Sequence, residues 1–202
     1  VAHTGSVQRN QASNRRRVAR PDSVDFIVFN GRGDPDAPVA GKSTDEPEDG
    51  RLTVTSELPE WARSLNLSAH PEGGWFRETW RSDLTISEAA LPSGYGGPRS
   101  AGTAILFLLM PGESSAWHAV RSAELWFFHR GSPLLLDIGR RPSCATTYVL
   151  GASVSDAQHP QLLVPPGYWQ RARPRNAEPS LVSCVVVPGF DFTDFVMTLP
   201  GR

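Results

Sequence analysis

This sequence predicts an all-β fold, an antiparallel barrel enclosing a pocket, preceded by a short helix and an extended N-terminal tail. Three observations predict it. Short apolar or alternating runs succeed one another from residue 75 to residue 198, broken by glycine and proline at spacings near ten residues. No helical run after residue 70 is long enough for a βαβ unit. Hydrophobic residues make up 39% of the 202, enough for one core of ordinary size.

Residues 1–50 read as a flexible extension. The first twenty hold Arg9, Arg15, Arg16, Arg17 and Arg20 and no acid, and Asp45, Glu46, Glu48 and Asp49 follow amid Gly, Pro and Ser. One apolar run, Val24 to Phe29, reads as an added strand, at the barrel edge or on a partner subunit. The barrel domain spans 51–202. Ser56 is placed to cap a short helix with Leu58, Trp61, Ala62 and Leu65 on one face. His70-Pro71-Glu72-Gly73-Gly74 then reads as a turn, with the two glycines permitting a tight reversal and His70 a loop residue. The strands expected after it are roughly 75–82, 103–110, 115–119, 123–130, 134–138, 146–150, 161–164, 168–173, 181–188 and 192–198. All six tryptophans fall between 61 and 169, and several are expected to line the interior.

Composition narrows the function. A net charge of −1 without a basic face argues against nucleic acid and anionic membrane as partners. No apolar run approaches the roughly 18–20 residues of a membrane span, and the early arginines are not followed by the apolar segment of a secretory signal. The two cysteines, Cys144 and Cys184, form neither a disulfide framework nor a metal motif, so a cytoplasmic location is expected. Cys184, within Val182 to Val187, reads as a core thiol. Lys42 is the only lysine among many arginines, the mark of GC-rich coding; a bacterial setting in specialised biosynthesis is the corresponding expectation.

The chemistry-bearing stretch runs from Gly112 to Gly131. His118 lies six residues after Gly112, and Glu124 lies seven before Gly131. A second segment reads Pro165-Pro166-Gly167-Tyr168-Trp169-Gln170. These segments resemble the two motifs of the cupin superfamily, in which a metal is held by three histidines and one glutamate. His118 stands at the first histidine and Glu124 at the glutamate, while Val120 replaces the second histidine and Gln170 the third. A valine cannot ligate and a glutamine ligates weakly. His70 to Thr79, Trp117-His118, Glu124-x-Trp126 and Pro188-Gly189-Phe190-Asp191-Phe192 further resemble the cupin-5 (DUF985) family, in order, over residues 57–198. That resemblance implies a cupin-type jelly-roll barrel, often a homodimer, and no single reaction.

Parity supplies geometry. His118 and Val120 share one face of a strand, and Glu124 and Trp126 share another. The pocket is then expected to hold an imidazole, a carboxylate and the Gln170 amide among aromatic walls. Such a His/Glu pair performs acid–base chemistry without metal. From Trp75 to Trp80, Arg77 and Glu78 fall on opposite faces, so one of them points inward. His129 has the opposite parity to Glu124 and reads as structural, and Asp191 and Asp194 read as turn or dimer-contact residues.

The expectation is a metal-independent, small-molecule cupin enzyme, an isomerase, lyase or cyclase. His118, Glu124 and Gln170 would be catalytic, and Phe76, Arg77, Glu78, Trp117, Trp126 and Tyr168 would contact substrate. No cofactor is expected; the expected partners are the substrate and a second copy of the chain. Two alternatives stay open: a non-catalytic ligand-binding module, and a metal-dependent enzyme with the reduced set His118, Glu124 and Gln170.

Overall fold

The computed structural model describes residues 58–198 and, upstream of them, the backbone of strand β1 (Phe26–Val28). The arginine cluster, the acidic run and Ser56 lie outside the described residues. Leu58 and Pro59 lead into a single turn, α1 (Glu60–Arg63), with Pro59 at its N-cap. The strands that follow are β2 (Ser68–Ala69), β3 (Trp75–Arg81), β4 (Thr85–Ile86), β5 (Arg99–Ser100), β6 (Thr103–Leu109), β7 (His118–Val120), β8 (Ala123–Gly131), β9 (Leu134–Gly139), β10 (Thr146–Leu150), β11 (Gln161–Val164), β12 (Trp169–Pro174), β13 (Ser180–Val187) and β14 (Phe195–Thr198).

Two six-stranded antiparallel sheets form the jelly roll. One runs β1-β14-β7-β12-β9-β10, the other β11-β8-β13-β6-β3-β2. β1 falls within the run read as an added strand and pairs with β14 at the edge of the first sheet. The expected run 192–198 begins as a 3₁₀ turn, Phe192–Asp194, because the Asp191 carboxylate accepts from the Thr193 N–H and caps it.

Alternation along each strand decides what faces inward. Phe107, Leu109, Trp126, Leu134, Leu136, Leu150 and Val182 meet in one core cluster inside the barrel, and Phe107 and Trp126 also border the cavity. Burying each such side chain is worth about 1.5–3 kcal/mol. Leu108 and Leu181 point the other way and are covered by Ala62, with Leu58, Trp61 and Leu65 packed beside them. The apolar face of the helix predicted from the sequence is thus the lid on the outside of the second sheet. One end of the barrel stays open.

One irregularity matters for the site. The β3–β6 register shifts between Glu78 and Trp80. Glu78 pairs with inward-facing Ile105, and after the bulge Trp80 pairs with outward-facing Ala104 and Arg81 with Thr103. The shared face expected for Phe76, Glu78 and Trp80 is therefore broken: Trp80 is turned out, 52% exposed, and Arg81 is turned in.

Candidate functional site

The open end holds a cavity of about 590 Å³, within the usual range for small-molecule sites. Phe76, Ile105, Phe107, Trp126, Val120, Val186 and Phe195 supply apolar wall. Against it stand His70, Glu72, His118 and Glu124. Strands β7 and β8 position the last two. His118 and Val120 both line the cavity, as do Glu124 and Trp126, which their shared parity demands.

His70 and Glu72 come from the β2–β3 turn, and its backbone explains their entry. Gly73 and Gly74 take φ of +101° and +74°, which only glycine adopts without strain. A Cβ at Gly74 would sit 2.8 Å from the Leu108 carbonyl oxygen. His70 N–H donates to Gly74 O at 3.0 Å and Ala116 N–H to Glu72 O at 2.6 Å, which folds the turn onto the strand leading to His118. The residues read as loop positions thereby become part of the cavity. An alternating His-x-Glu ahead of a glycine pair was the available signal.

Hydrogen bonds assign the protons. His118 Nδ1 lies 2.9 Å from Ala116 O, and a carbonyl only accepts, so Nδ1 carries the hydrogen and Nε2 the lone pair. His70 Nδ1 accepts from the Glu72 N–H at 3.3 Å, which places its hydrogen on Nε2. The two imidazoles are opposite tautomers. Glu72 Oε2 stands 3.1 Å from His118 Nδ1 and 3.8 Å from His70 Nδ1. Glu124 Oε2 accepts from Gln170 Nε2, and Gln170 Oε1 accepts from Trp126 Nε1 at 2.9 Å.

Burial shifts each of these groups toward its uncharged form. Desolvation lowers His118 to about 4 against the one opposing bond to Ala116. It lowers His70 to about 3, assisted by His118. Burial, then the neighbouring Glu124, holds Glu72 well above the carboxylate range. Burial raises Glu124 to about 7, while its bonds to Gln170 and Cys184 hold it from rising further. The Cys184 thiol is itself pushed up by burial and by both glutamates, which leaves it a protonated donor.

The mouth is rimmed by residues 96–99, by Glu78 and Arg81, and by Phe190 to Thr193. Both arginines there are committed. Arg99 donates from Nε to Asp194 Oδ2 at 2.7 Å, from Nη2 to Asp194 Oδ1 and Thr193 Oγ1, and from Nη1 to the Gly97 and Pro98 carbonyls. Arg81 chelates Glu78 at 2.9 and 2.7 Å and donates to Phe190 O. Asp194 lies in the 3₁₀ turn, as a turn residue was expected to, and is also the buried anchor of the mouth.

Other predicted contacts lie elsewhere. Gln170 is fully buried behind Glu124 and does not line the cavity. Arg77 faces away, and its buried Nε has no partner. Trp117 packs under Arg171, and Tyr168 bonds Arg140 at 3.1 Å beside a separate shallow groove. Of the six tryptophans, all within the described residues, Trp126 alone lines the cavity, so the aromatic wall is mostly phenylalanine. His129 bonds Ser183 Oγ on the outer surface.

The donor set does not fit the metal that the fold commonly holds. Val120 offers no donor, and the Gln170 amide is spent at both ends on Trp126 and Glu124. Among the described residues no group of three or more His, Cys, Asp and Glu has a metal-holding arrangement. No described helix is long and apolar enough to cross a membrane.

A family model described as Cupin superfamily (DUF985) matches residues 59–198. A hypothetical protein from Leishmania major is 33% identical, with 67% of this chain and 83% of that chain covered and a TM-score of 0.58. A protein from Shewanella oneidensis is 35% identical, with 67% and 80% covered and a TM-score of 0.57. A mutant oxalate decarboxylase of Bacillus subtilis is similar at 16% identity and a TM-score of 0.44, over 66% of this chain and 30% of that one. A search of curated proteins finds no match.

Proposed function

We propose, from the premise that the chain belongs to the cupin-5 (DUF985) family, that its cavity is the site of a metal-independent acid–base enzyme acting on a small molecule. The reaction class is proton transfer: isomerisation, epimerisation, dehydration or cyclisation. The observation that carries the reading is the pairing of His118 and Glu124 in one apolar cavity. His118 Nε2 offers a lone pair with its tautomer fixed by Ala116 O, and Glu124 titrates at about 7. Two groups whose environments drive their proton affinities in opposite directions are the usual signature of an acid and a base. His118 acts as base, and the protonated Glu124 acts as acid.

Gln170 acts through Glu124. Its Nε2 hydrogen binds the carboxylate and its Oε1 is locked by Trp126, so the amide cannot rotate to offer oxygen instead. It is a positioning residue, and the substrate contact expected of it passes to Glu124.

The test is a screen of small carbonyl and hydroxyl compounds for turnover by chelator-treated protein, run beside Glu124→Gln. Turnover that survives chelation and disappears in a folded Glu124→Gln variant supports the reading. Turnover restored only by added metal moves the function to a metal-dependent enzyme. Ligand binding without turnover makes the cavity a binding module.

A further inference from the structure

We propose that the cavity takes an uncharged carbonyl compound with an apolar body, and that Glu72 together with His118 enolises it. This rests on the proposed acid–base function and adds a substrate class and a second acid to it: Glu72 protonates the carbonyl oxygen, and Glu124 stays the acid that returns a proton to carbon.

The charge of the substrate's inner end follows from the lining. Arg99 spends all five of its N–H groups on Asp194, Thr193 and the Gly97 and Pro98 carbonyls, and Arg81 stands half-exposed at the mouth, its charge paired with Glu78. Both histidines are neutral at physiological pH. Arg81 lies at the mouth, so among the described lining residues no cation is left at the inner end of the cavity to meet an anion. A buried anion without a partner is strongly disfavoured. An uncharged oxygen is not, because donors await it. Glu72 Oε1 and His70 Nε2 have no hydrogen-bond partner among the described residues, and neither is a sealed, unsatisfied atom. The remaining wall is Phe76, Phe107, Ile105, Val186 and Phe195, suited to a hydrocarbon or aromatic body.

The proton step balances within the protein. His118 Nε2 takes a hydrogen from the carbon next to the carbonyl, and that C–H pair becomes the new C=C bond. The C=O π pair moves to oxygen, which takes the Glu72 proton. The products are a neutral enol, an imidazolium and a carboxylate. The last two are neighbours, since Glu72 Oε2 lies 3.1 Å from His118 Nδ1. Glu72 thus strengthens the base at the moment it gives up its own proton. His70 Nε2–H supplies a second hydrogen bond to the oxygen.

The experiment uses three matched probes at pH 7.5: 4-phenylbutan-2-one, 3-phenylpropanoate and butylbenzene. Affinities are read from Trp126-dependent fluorescence, and exchange of the ketone's α-hydrogens in D2O is read by NMR. The ketone should bind at least 10-fold more tightly than the carboxylate and exchange above the buffer rate. Glu72→Gln should keep ketone affinity within about threefold and slow exchange by about 10²-fold or more. Equal or tighter carboxylate binding, or no ketone binding at millimolar concentration, overturns the substrate class, and neither result needs a variant to fold. Exchange that persists in Glu72→Gln yet is lost in Glu124→Gln removes Glu72 while leaving the acid–base function standing. Bound ketone that does not exchange overturns the enolisation.

Discussion

Replacing Glu124 by glutamine should make the protein more resistant to unfolding as pH rises. The carboxyl is buried, and its folded value of about 7 stands above the ordinary 4.5. A raised value means that the folded state holds a proton the unfolded chain has released between pH 4.5 and 7. Stability from the neutral carboxyl is thus fully present below 4.5 and is lost as pH climbs through 7. At about 1.4 kcal/mol per pH unit, the loss is about 3 kcal/mol. The substituted amide still accepts from Gln170 Nε2 through its own carbonyl, so at pH 4.5 the two proteins should differ by no more than about 1 kcal/mol. Urea unfolding of wild type and Glu124→Gln from pH 4.5 to 9 measures the difference. The variant should gain about 3 kcal/mol relative to wild type across that range, with most of the change complete by pH 8. A difference that stays flat, or moves the other way, would refute the burial argument for Glu124 and the acid role built on it.

Other consequences are independent of that one. The pH profile of kcat/KM on a turned-over substrate should be bell-shaped, with limbs near 4 and 7 from His118 and Glu124; activity that keeps rising above pH 8 is incompatible with Glu124 as the acid. His118→Gln should cut that rate by about 10²–10⁴-fold at unchanged melting temperature. Asp194→Ala strips the buried Arg99 of its partner at 2.7 Å and should cost about 3–5 kcal/mol in denaturant unfolding. Gly131→Ala should cost more than about 2 kcal/mol, because a Cβ there would meet the Pro179 carbonyl oxygen at 1.8 Å and φ is +89°; a thermal melt within a few degrees of wild type would show that the loop yields.

The fold was legible because a strand signal is local. Apolar runs bounded by glycine and proline mark strands wherever they pair, and the runs 146–150 and 161–164 coincide with β10 and β11. Parity also carried into the site, placing His118 with Val120 and Glu124 with Trp126. It failed where a register change intervened. The bulge after Glu78 sends Trp80 out and Arg81 in, and no alternation pattern reveals a single unpaired residue. It failed again at Gln170, whose inward direction is correct but whose amide is consumed by Trp126 and Glu124 before it reaches the cavity. His70 and Glu72 escaped notice for the opposite reason. A turn has no parity, and only the two left-handed glycines, packed against 114–116 and Leu108, decide that its side chains enter the barrel.

The account depends most on one carboxyl group keeping its proton near neutral pH inside an apolar cavity. A carbon-13 NMR titration of glutamate-labelled protein, with Glu124→Gln identifying the resonance, measures that directly. A midpoint near 7 for Glu124 is the predicted result. A midpoint near 4.5 would mean that the carboxylate is ionised and solvated, and the acid proposed for this site would not exist.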